Sequence, residues 1–282
     1  MRTASWTTPS SPCRRPRCWT SRSHEVTIEL TWLGHSTVVL DLGGVRLLSD
    51  PLLNRRVGIL RRRGATPSAE SWMNPDLVLL SHLHHDHADR RSLARLRPET
   101  PILTAPENVA WLRVLDLAGR SSEAGQRVSV AGSHSVSVSL CRADHHSRPM
   151  PHRPNGATGH VVRSTSGTVW VAGDTSLYDE IADIPDQAGG AVDVALVPIS
   201  GWAPRLSGGH MGPDEAARAC SMVRARYAVP VHWGTLHTPG GRHFPRGWMD
   251  RPAQIFAEAM AQRAPACRVV VPRIGQRVSV GA

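Results

Sequence analysis

The segment Ser81-His82-Leu83-His84-His85-Asp86-His87 constrains this chain more than any other, because it crowds His82, His84, Asp86 and His87 directly behind the apolar run Leu77-Val78-Leu79-Leu80. Bounded upstream by Asn74-Pro75-Asp76, that run reads as a buried strand, so four metal-ligand side chains stand at its C-terminal end. In extended backbone His82 and His84 project to one side and can converge on one cation. Asp86 and His87 follow once the chain turns, and face a second point. For this motif in isolation, the alternative is a solvated or hydrogen-bonded histidine tract with loose metal affinity.

With 282 residues the chain can bury a sizeable core. No stretch approaches the roughly 20 apolar residues that span a bilayer, so a soluble globular protein is expected. Of five cysteines, Cys13 and Cys18 lie in the N-terminal segment and leave Cys141, Cys220 and Cys267 widely spaced, with neither a zinc-ribbon spacing nor a paired disulfide framework, which points to a reducing cytoplasm. There is no lysine, which excludes lysine nucleophiles, Schiff bases and a P-loop lysine. Residues 1–25 are rich in Arg, Ser, Thr and Pro without apolar periodicity. They read as a disordered or mis-annotated extension, with translation opening near Val26, ahead of a single domain over 26–282. Those first residues hold five arginines and one glutamate, so the remainder carries about +6 of the formal +10, and overall charge argues little for a nucleic-acid partner.

Alternating or continuous apolar runs predict strands at Val26 to Leu33, Thr37 to Leu42 and Val45 to Leu48, stopped by Ser49-Asp50-Pro51. Leu53 to Met73 reads as an irregular basic loop, and a helical pattern resumes at Arg90 to Leu96. A comparable unit follows: strands at His160 to Arg163 and Thr168 to Ala172, a stop at Gly173-Asp174-Thr175, then a buried strand over Val192 to Ile199. Two such halves, each a sheet with helices outside, predict an α/β four-layer αββα sandwich whose strand-end loops meet along one edge. Helices are expected at Glu107 to Leu117 and at Pro213 to Tyr227, the latter opened by Pro213 with Asp214 and Glu215. Strands are expected at Tyr227 to Val231, Arg268 to Val271 and Gln276 to Val280.

A hydrolytic metal site uses nitrogen and oxygen donors and leaves a position for water. Three further donors stand at predicted strand ends: His145 after Val136 to Leu140, Asp174 after Thr168 to Ala172, and His232 after Tyr227 to Val231. Asp174 suits a bridge, since its two oxygens can each take a cation. Singly, a strand-end aspartate is more often a turn residue and a strand-end histidine a surface or core residue. Their joint occurrence gives the pattern its weight.

With these segments in place the chain resembles metallo-β-lactamase-fold hydrolases. Within them it is most similar to the branch of N-acylphosphatidylethanolamine phospholipase D and the ascorbate-6-phosphate lactonases. The resemblance rests on Trp32-Leu33-Gly34-His35-Ser36-Thr37, Ser49-Asp50-Pro51, the His82 to His87 motif, Ala143-Asp144-His145-His146-Ser147, Ala172-Gly173-Asp174-Thr175, Gly209-His210-Met211-Gly212-Pro213 and His232-Trp233-Gly234-Thr235. It implies that His82, His84 and His145 hold one metal, that Asp86, His87 and His232 hold the other, that Asp174 bridges, and that His210 lies near substrate. The chain departs from the branch at His85 and His146, where an aromatic residue is usual, which leaves His146 as the alternative to His145. No family pattern is recognisable over Met150 to Gly159.

The resulting expectation is a hydrolase with two divalent cations, zinc first with manganese or iron as alternatives; histidine at position 84, where a di-iron oxygen-reducing site would carry a carboxylate, favours zinc. A metal-bridging hydroxide would attack, oriented by Asp86, with His210 assisting the leaving group and Arg148 contacting an anionic small-molecule substrate. The substrate expected first is a phosphodiester or phosphorylated small molecule, with a sugar-phosphate lactone as the alternative. A nuclease and a non-catalytic metal-binding protein are the rival classes. The oligomeric state is left open.

Overall fold

The apolar alternation of the N-terminal half and of its later counterpart builds two separate sheets in the computed structural model, which describes residues 27–130, 133, 135–145 and 153–281. The first sheet runs, in spatial order, Arg277–Val280, Ile28–Gly34, Thr37–Leu42, Val45–Ser49, Leu77–Leu79, Ile102–Leu103 and Gly119–Arg120. The second runs Arg268–Val269, Tyr227–Val231, Val194–Pro198, Gly167–Val171, Thr158–Ser164, Ser137–Arg142 and Arg127–Ser129. Each has an antiparallel half joined to a parallel half, and in each the switch falls on the strand after a hairpin: Val45–Ser49 beside Leu77–Leu79, and Gly167–Val171 beside Val194–Pro198. The repeat read from the sequence is therefore a repeat of topology, and Asp50 and Asp174 occupy its equivalent strand ends.

Packing follows the alternation. Leu30, Leu40, Leu47 and Leu79 of the first sheet meet Val138, Val162, Val169 and Leu196 of the second in one inter-sheet core. Each such fully buried aliphatic side chain contributes about 1.5–3 kcal/mol. Outside the first sheet lie the short helices Ala69–Trp72 and Arg90–Leu93 and the helix Pro106–Val114, through Trp72, Leu93 and Leu112. Outside the second lie Ile184–Ala188, Pro213–Met222 and Arg251–Arg263, through Ile184, Ala216, Cys220 and Phe256. Four αββα layers result. No helix of the described residues is long and apolar enough to cross a membrane.

Several sequence expectations need correction. Leu53 to Met73 is not irregular: Arg56–Val57 and Leu60–Arg62 form a hairpin that pairs with Leu236–His237 as a third, three-stranded sheet, followed by the helical turn Ala69–Trp72. Strands this short show no periodicity, and the pairing partner lies far away in sequence. The helix from Pro213 ends at Met222, because Arg224 takes a left-handed φ of 53° and the Arg226 amide donates to Val192 O, starting the strand at Tyr227. The helix expected from Glu107 spans Pro106–Val114, and that from Arg90 stops at Leu93. Helix Arg251–Arg263 was not foreseen. Its buried face is Ala253, Phe256, Ala259 and Met260, and alanines give weak apolar contrast. The proposed extension over residues 1–25, with Cys13 and Cys18, lies outside the described residues.

Candidate metal centre

The loops that gather the candidate ligands are held by backbone devices at strand ends. After Leu77–Leu79 the chain continues extended to Leu83 and then turns, with the His87 and Ala88 amides donating to His84 O at 3.1 and 2.8 Å. His35, Asp50 and His232, each just past a strand, have left-handed φ values of 55°, 34° and 60°. Such backbone costs a non-glycine residue about 1 kcal/mol or more. The cost is borne where the strands must break toward one point. Gly173, at φ 66°, allows the closest approach: a Cβ there would stand 2.8 Å from Ser81 Cβ and 3.0 Å from Thr158 O.

Two groups of donor atoms result. His82 Nε2 and His145 Nε2 each lie 2.9 Å from His84 Nδ1, so three imidazole nitrogens converge. Asp86 Oδ2 lies 3.9 Å from His87 Nε2 and 3.6 Å from His232 Nε2. Asp174 Oδ2 stands between the groups, 3.9 Å from His82 Nε2, 3.0 Å from His87 Nε2 and 3.1 Å from His232 Nε2. His210 Nε2 approaches the same oxygen at 3.2 Å. All these residues are buried except His84 and His210, which are part-exposed and mark the open side.

Hydrogen bonds on the far ring nitrogens fix which atom each histidine presents. His87 Nδ1–H donates to Asp50 Oδ2 at 2.8 Å, His232 Nδ1–H to Ser200 O at 2.7 Å and His145 Nδ1–H to Gly209 O at 2.7 Å. His82 Nδ1–H donates to Ser81 Oγ at 2.9 Å, and that hydroxyl donates on to Asp50 Oδ2 at 2.7 Å. Each Nε2 lone pair is thereby aimed inward. His87 Nε2, His232 Nε2 and Asp174 Oδ1 are buried with no hydrogen-bond partner. Buried polar atoms are seldom left so, and the donor groups around them, His82, His87 and Asp174 on one side and Asp86, His87 and His232 on the other, are close enough to hold a cation. The residues fit a metal.

Electrostatics agree. Burial, with the neighbouring histidines, holds His82 well below its usual value, and burial lowers His145 to about 4, so both present lone pairs. Burial opposes charge on Asp86 and Asp174 as well. It is outweighed, for Asp86 by His87, His232 and His35 and for Asp174 by His232, His87 and His210, and both carboxylates stay ionised. Burial would also lower His87 and His232, yet the surrounding carboxylates, Asp174 foremost, raise His87 well above normal and His232 to about 9. A site that draws a proton so strongly between those rings draws a divalent cation for the same reason.

Three supports were not assigned roles from sequence. Asp50 reads there as a strand stop and part of the resemblance, with no role of its own, yet it accepts from Ser81 N and Ser81 Oγ at 2.8 and 2.7 Å as well as from His87, and so orients a candidate ligand of each group. His35, fully buried and lowered to about 3 by burial, donates Nε2–H to Asp86 Oδ2 at 2.9 Å. Its backbone amide donates to Thr235 Oγ1 at 2.7 Å and its carbonyl accepts from His232 N at 2.9 Å, while Trp32 stacks on Trp233 at 5.2 Å. The two distant motifs are thus one knot. Finally, Arg153 donates to Ala88 O at 2.8 Å and His85 Nδ1 at 3.0 Å, and Asn155 Oδ1 accepts from Leu83 N at 2.8 Å, clamping both ends of the histidine turn. His146 and Arg148 lie outside the described residues.

Supporting residues of this kind are typically worth 10- to 100-fold in metal affinity, by a rough general scale. Asp50→Asn is expected to weaken metal binding by about that factor while the chain still folds, because an amide can turn an N–H toward His87 Nδ1 and upset its tautomer. Titration against a chromogenic chelator, with a melting curve alongside, checks this; unchanged affinity rejects the orienting role.

An αββα sandwich with a histidine and aspartate cluster at its strand ends defines the class of metal-dependent hydrolases of the metallo-β-lactamase type. Residues 45–233 match the Beta-lactamase superfamily domain, and the chain belongs to that family. It is 30% identical over 253 residues to a UPF0173 metal-dependent hydrolase of Nitratidesulfovibrio vulgaris (strain DP4), covering 85% of this chain and 90% of that one. It is 27% identical over 226 residues to N-acyl-phosphatidylethanolamine-hydrolyzing phospholipase D 1 of Caenorhabditis elegans, covering 73% of this chain but 63% of that longer protein. Igni18, a metallo hydrolase of Ignicoccus hospitalis, shares the fold at a TM-score of 0.68 and 23% identity, over 90% of this chain and 98% of that one.

Proposed function

We propose that this protein is a binuclear, zinc-dependent hydrolase acting on a phosphodiester or phosphorylated small molecule. The observation that carries this reading is the position of Asp174 Oδ2, within 3.2 Å of His87, His232 and His210 and between two groups of buried donors. His82, His84 and His145 would hold one cation, Asp86, His87 and His232 the other, and Asp174 would contribute to both. Such a pair lowers the pKa of bound water toward neutrality and polarises the scissile group. Nitrogen-rich donors without thiolates suit zinc.

The chain's own residues do the rest. Asp86, ionised and steadied by the His35 Nε2–H, is placed to accept a proton from the attacking water. His210, on the open side with Nε2 toward the centre, is placed to protonate the leaving group. Asp50 and Ser81 keep the ligand tautomers fixed through turnover. The phosphodiester assignment draws support from the named activity of the nematode relative, and the lactone alternative rests on the motif resemblance.

Purified protein from zinc-supplemented culture is expected to carry close to two zinc ions per chain and to hydrolyse bis-p-nitrophenyl phosphate faster than simple lactones. Elemental analysis finding no metal in folded protein rejects the site. Lactone turnover with no phosphodiesterase activity shifts the substrate class to the alternative.

A further inference from the structure

The small third sheet serves no ligand, yet it concentrates charge. Arg56 stands directly opposite Arg61, and Arg61 directly opposite His237, across its three strands. Residues facing each other in this way have Cβ atoms roughly 5 Å apart, and like charges there repel. Together with Arg55, Arg242 and His243 these side chains line a concavity of about 670 Å³ whose walls include no carboxylate. Arg242 and His243 continue into an adjoining hollow of about 410 Å³ that adds Arg63 and Arg246, and its one acid, Asp250, is paired with Arg63 at 2.7 Å. Elsewhere some arginines have acidic partners, Arg46 with Asp41, Arg142 with Glu180, Arg226 with Asp193 and Arg263 with Asp214, and others such as Arg113 and Arg218 have none among the described residues but stand outside any such concavity. Among the described residues Arg55, Arg56, Arg61 and Arg242 have no acidic partner. Arg62, by contrast, is buried and spends its guanidinium on Leu33 O, Leu52 O and Asn54 O, so it braces the floor.

We infer that this concavity is an anion site, separate from the metal centre, for a ligand carrying clustered phosphate groups. Guanidinium forks match phosphate oxygens in geometry and charge, and several unpaired forks on one short sheet answer more than one phosphate. The repulsion across the strands is relieved when the ligand is in place. Such phosphates come from a soluble oligophosphate or from the headgroups of an anionic lipid. Ile59, between Arg56 and Arg61 at the hairpin tip, and Phe244, next to His243, are 73% and 79% exposed, and would enter the acyl region in the second case.

The test uses the whole, metal-loaded protein. Tripolyphosphate is expected to bind and to raise the melting temperature. The double variant Arg56→Glu, Arg61→Glu should weaken that binding on the order of a hundredfold, the loss of two charge-assisted contacts. The double variant Arg113→Glu, Arg218→Glu, at exposed positions on the helices Pro106–Val114 and Pro213–Met222, makes the same change in net charge away from the concavity and should leave binding unchanged. In parallel, sedimentation is measured with vesicles of phosphatidylcholine alone or mixed with phosphatidic acid. Capture by the mixed vesicles that tripolyphosphate displaces, and that Ile59→Ser with Phe244→Ser reduces, identifies the lipid source; tripolyphosphate binding without vesicle capture identifies the soluble one. Binding of neither, equal weakening by the control, or binding to duplex DNA alone overturns the inference. Melting curves and metal content of each variant separate loss of the site from loss of the fold.

Discussion

Asp174→Ala is expected to abolish turnover, by more than about 10³-fold, and to remove at least one metal equivalent from the purified protein. The size follows from position. Groups that merely orient a ligand are worth about 10- to 100-fold, whereas the Asp174 carboxylate, buried and ionised, is the anion nearest three of the inward nitrogens, at 3.0 to 3.2 Å. Without it, cations held by the two groups as proposed would face each other with only Asp86 to screen them. The substitution also deletes the carboxylate that does most to raise His232, so the metal-free variant should hold that ring's proton less tightly. Elemental analysis and a chelator titration read the outcome. Two metals retained at wild-type affinity would place the shared ligand elsewhere.

The legible part of this centre is the part that is local in sequence. The strand Leu77–Leu79 and its trailing candidate ligands form one contiguous pattern, and Asp174 and His232 show themselves because apolar runs deliver them. The architecture was readable for the same reason: hairpin, stop and parallel strand recur in each half. What could not be read is what long-range hydrogen bonding decides. Asp50 acquires its role only when the loop carrying Ser81 and His87 lies beside it, and nothing in Ser49-Asp50-Pro51 separates that from a turn. His35 likewise becomes a support for Asp86 only through contact with the His232 loop.

The hairpin Arg56–Val57 and Leu60–Arg62 shows a second kind of blindness. Its strands are too short to alternate, and its register depends on Leu236–His237, brought in by the knot at His35 and Thr235. A run of arginines reads as a solvated loop until pairing places their side chains opposite one another. Helix Arg251–Arg263 is a milder case: Pro252 in its first turn and the spacing Ala253, Phe256, Met260 are helical signals, diluted by alanine.

His210→Ala separates the two chemical roles this site leaves for that residue. The ring lies on the strap between Val194–Pro198 and Pro213–Met222, the strap that also supplies Ser200 O and Gly209 O to the candidate ligands His232 and His145. Its Nδ1 faces Ser207 O and Gly208 O at 3.2 Å, while Nε2 faces Asp174 Oδ2 at 3.2 Å. Ser207 Oγ lies nearer still, at 3.1 Å from Nδ1, so that nitrogen can accept from the hydroxyl and leave the ring proton on Nε2. A proton on Nε2 is held against a carboxylate on the open side of the centre, where a leaving group would depart. If that proton is delivered in the rate-limiting step, removing the ring should lower turnover by about 10²–10⁴-fold with both metals retained and the melting temperature little changed. The defect should shrink for substrates with better leaving groups, such as p-nitrophenolate, which need no proton. A ligand through Nε2 predicts a different result, loss of a metal with an equal defect for every substrate. A ring that only braces the strap predicts a lower melting temperature and near-normal rates. Metal content, melting temperature and rates across a leaving-group series, measured on this one variant, distinguish all three, and near-normal turnover throughout would remove His210 from the catalytic scheme.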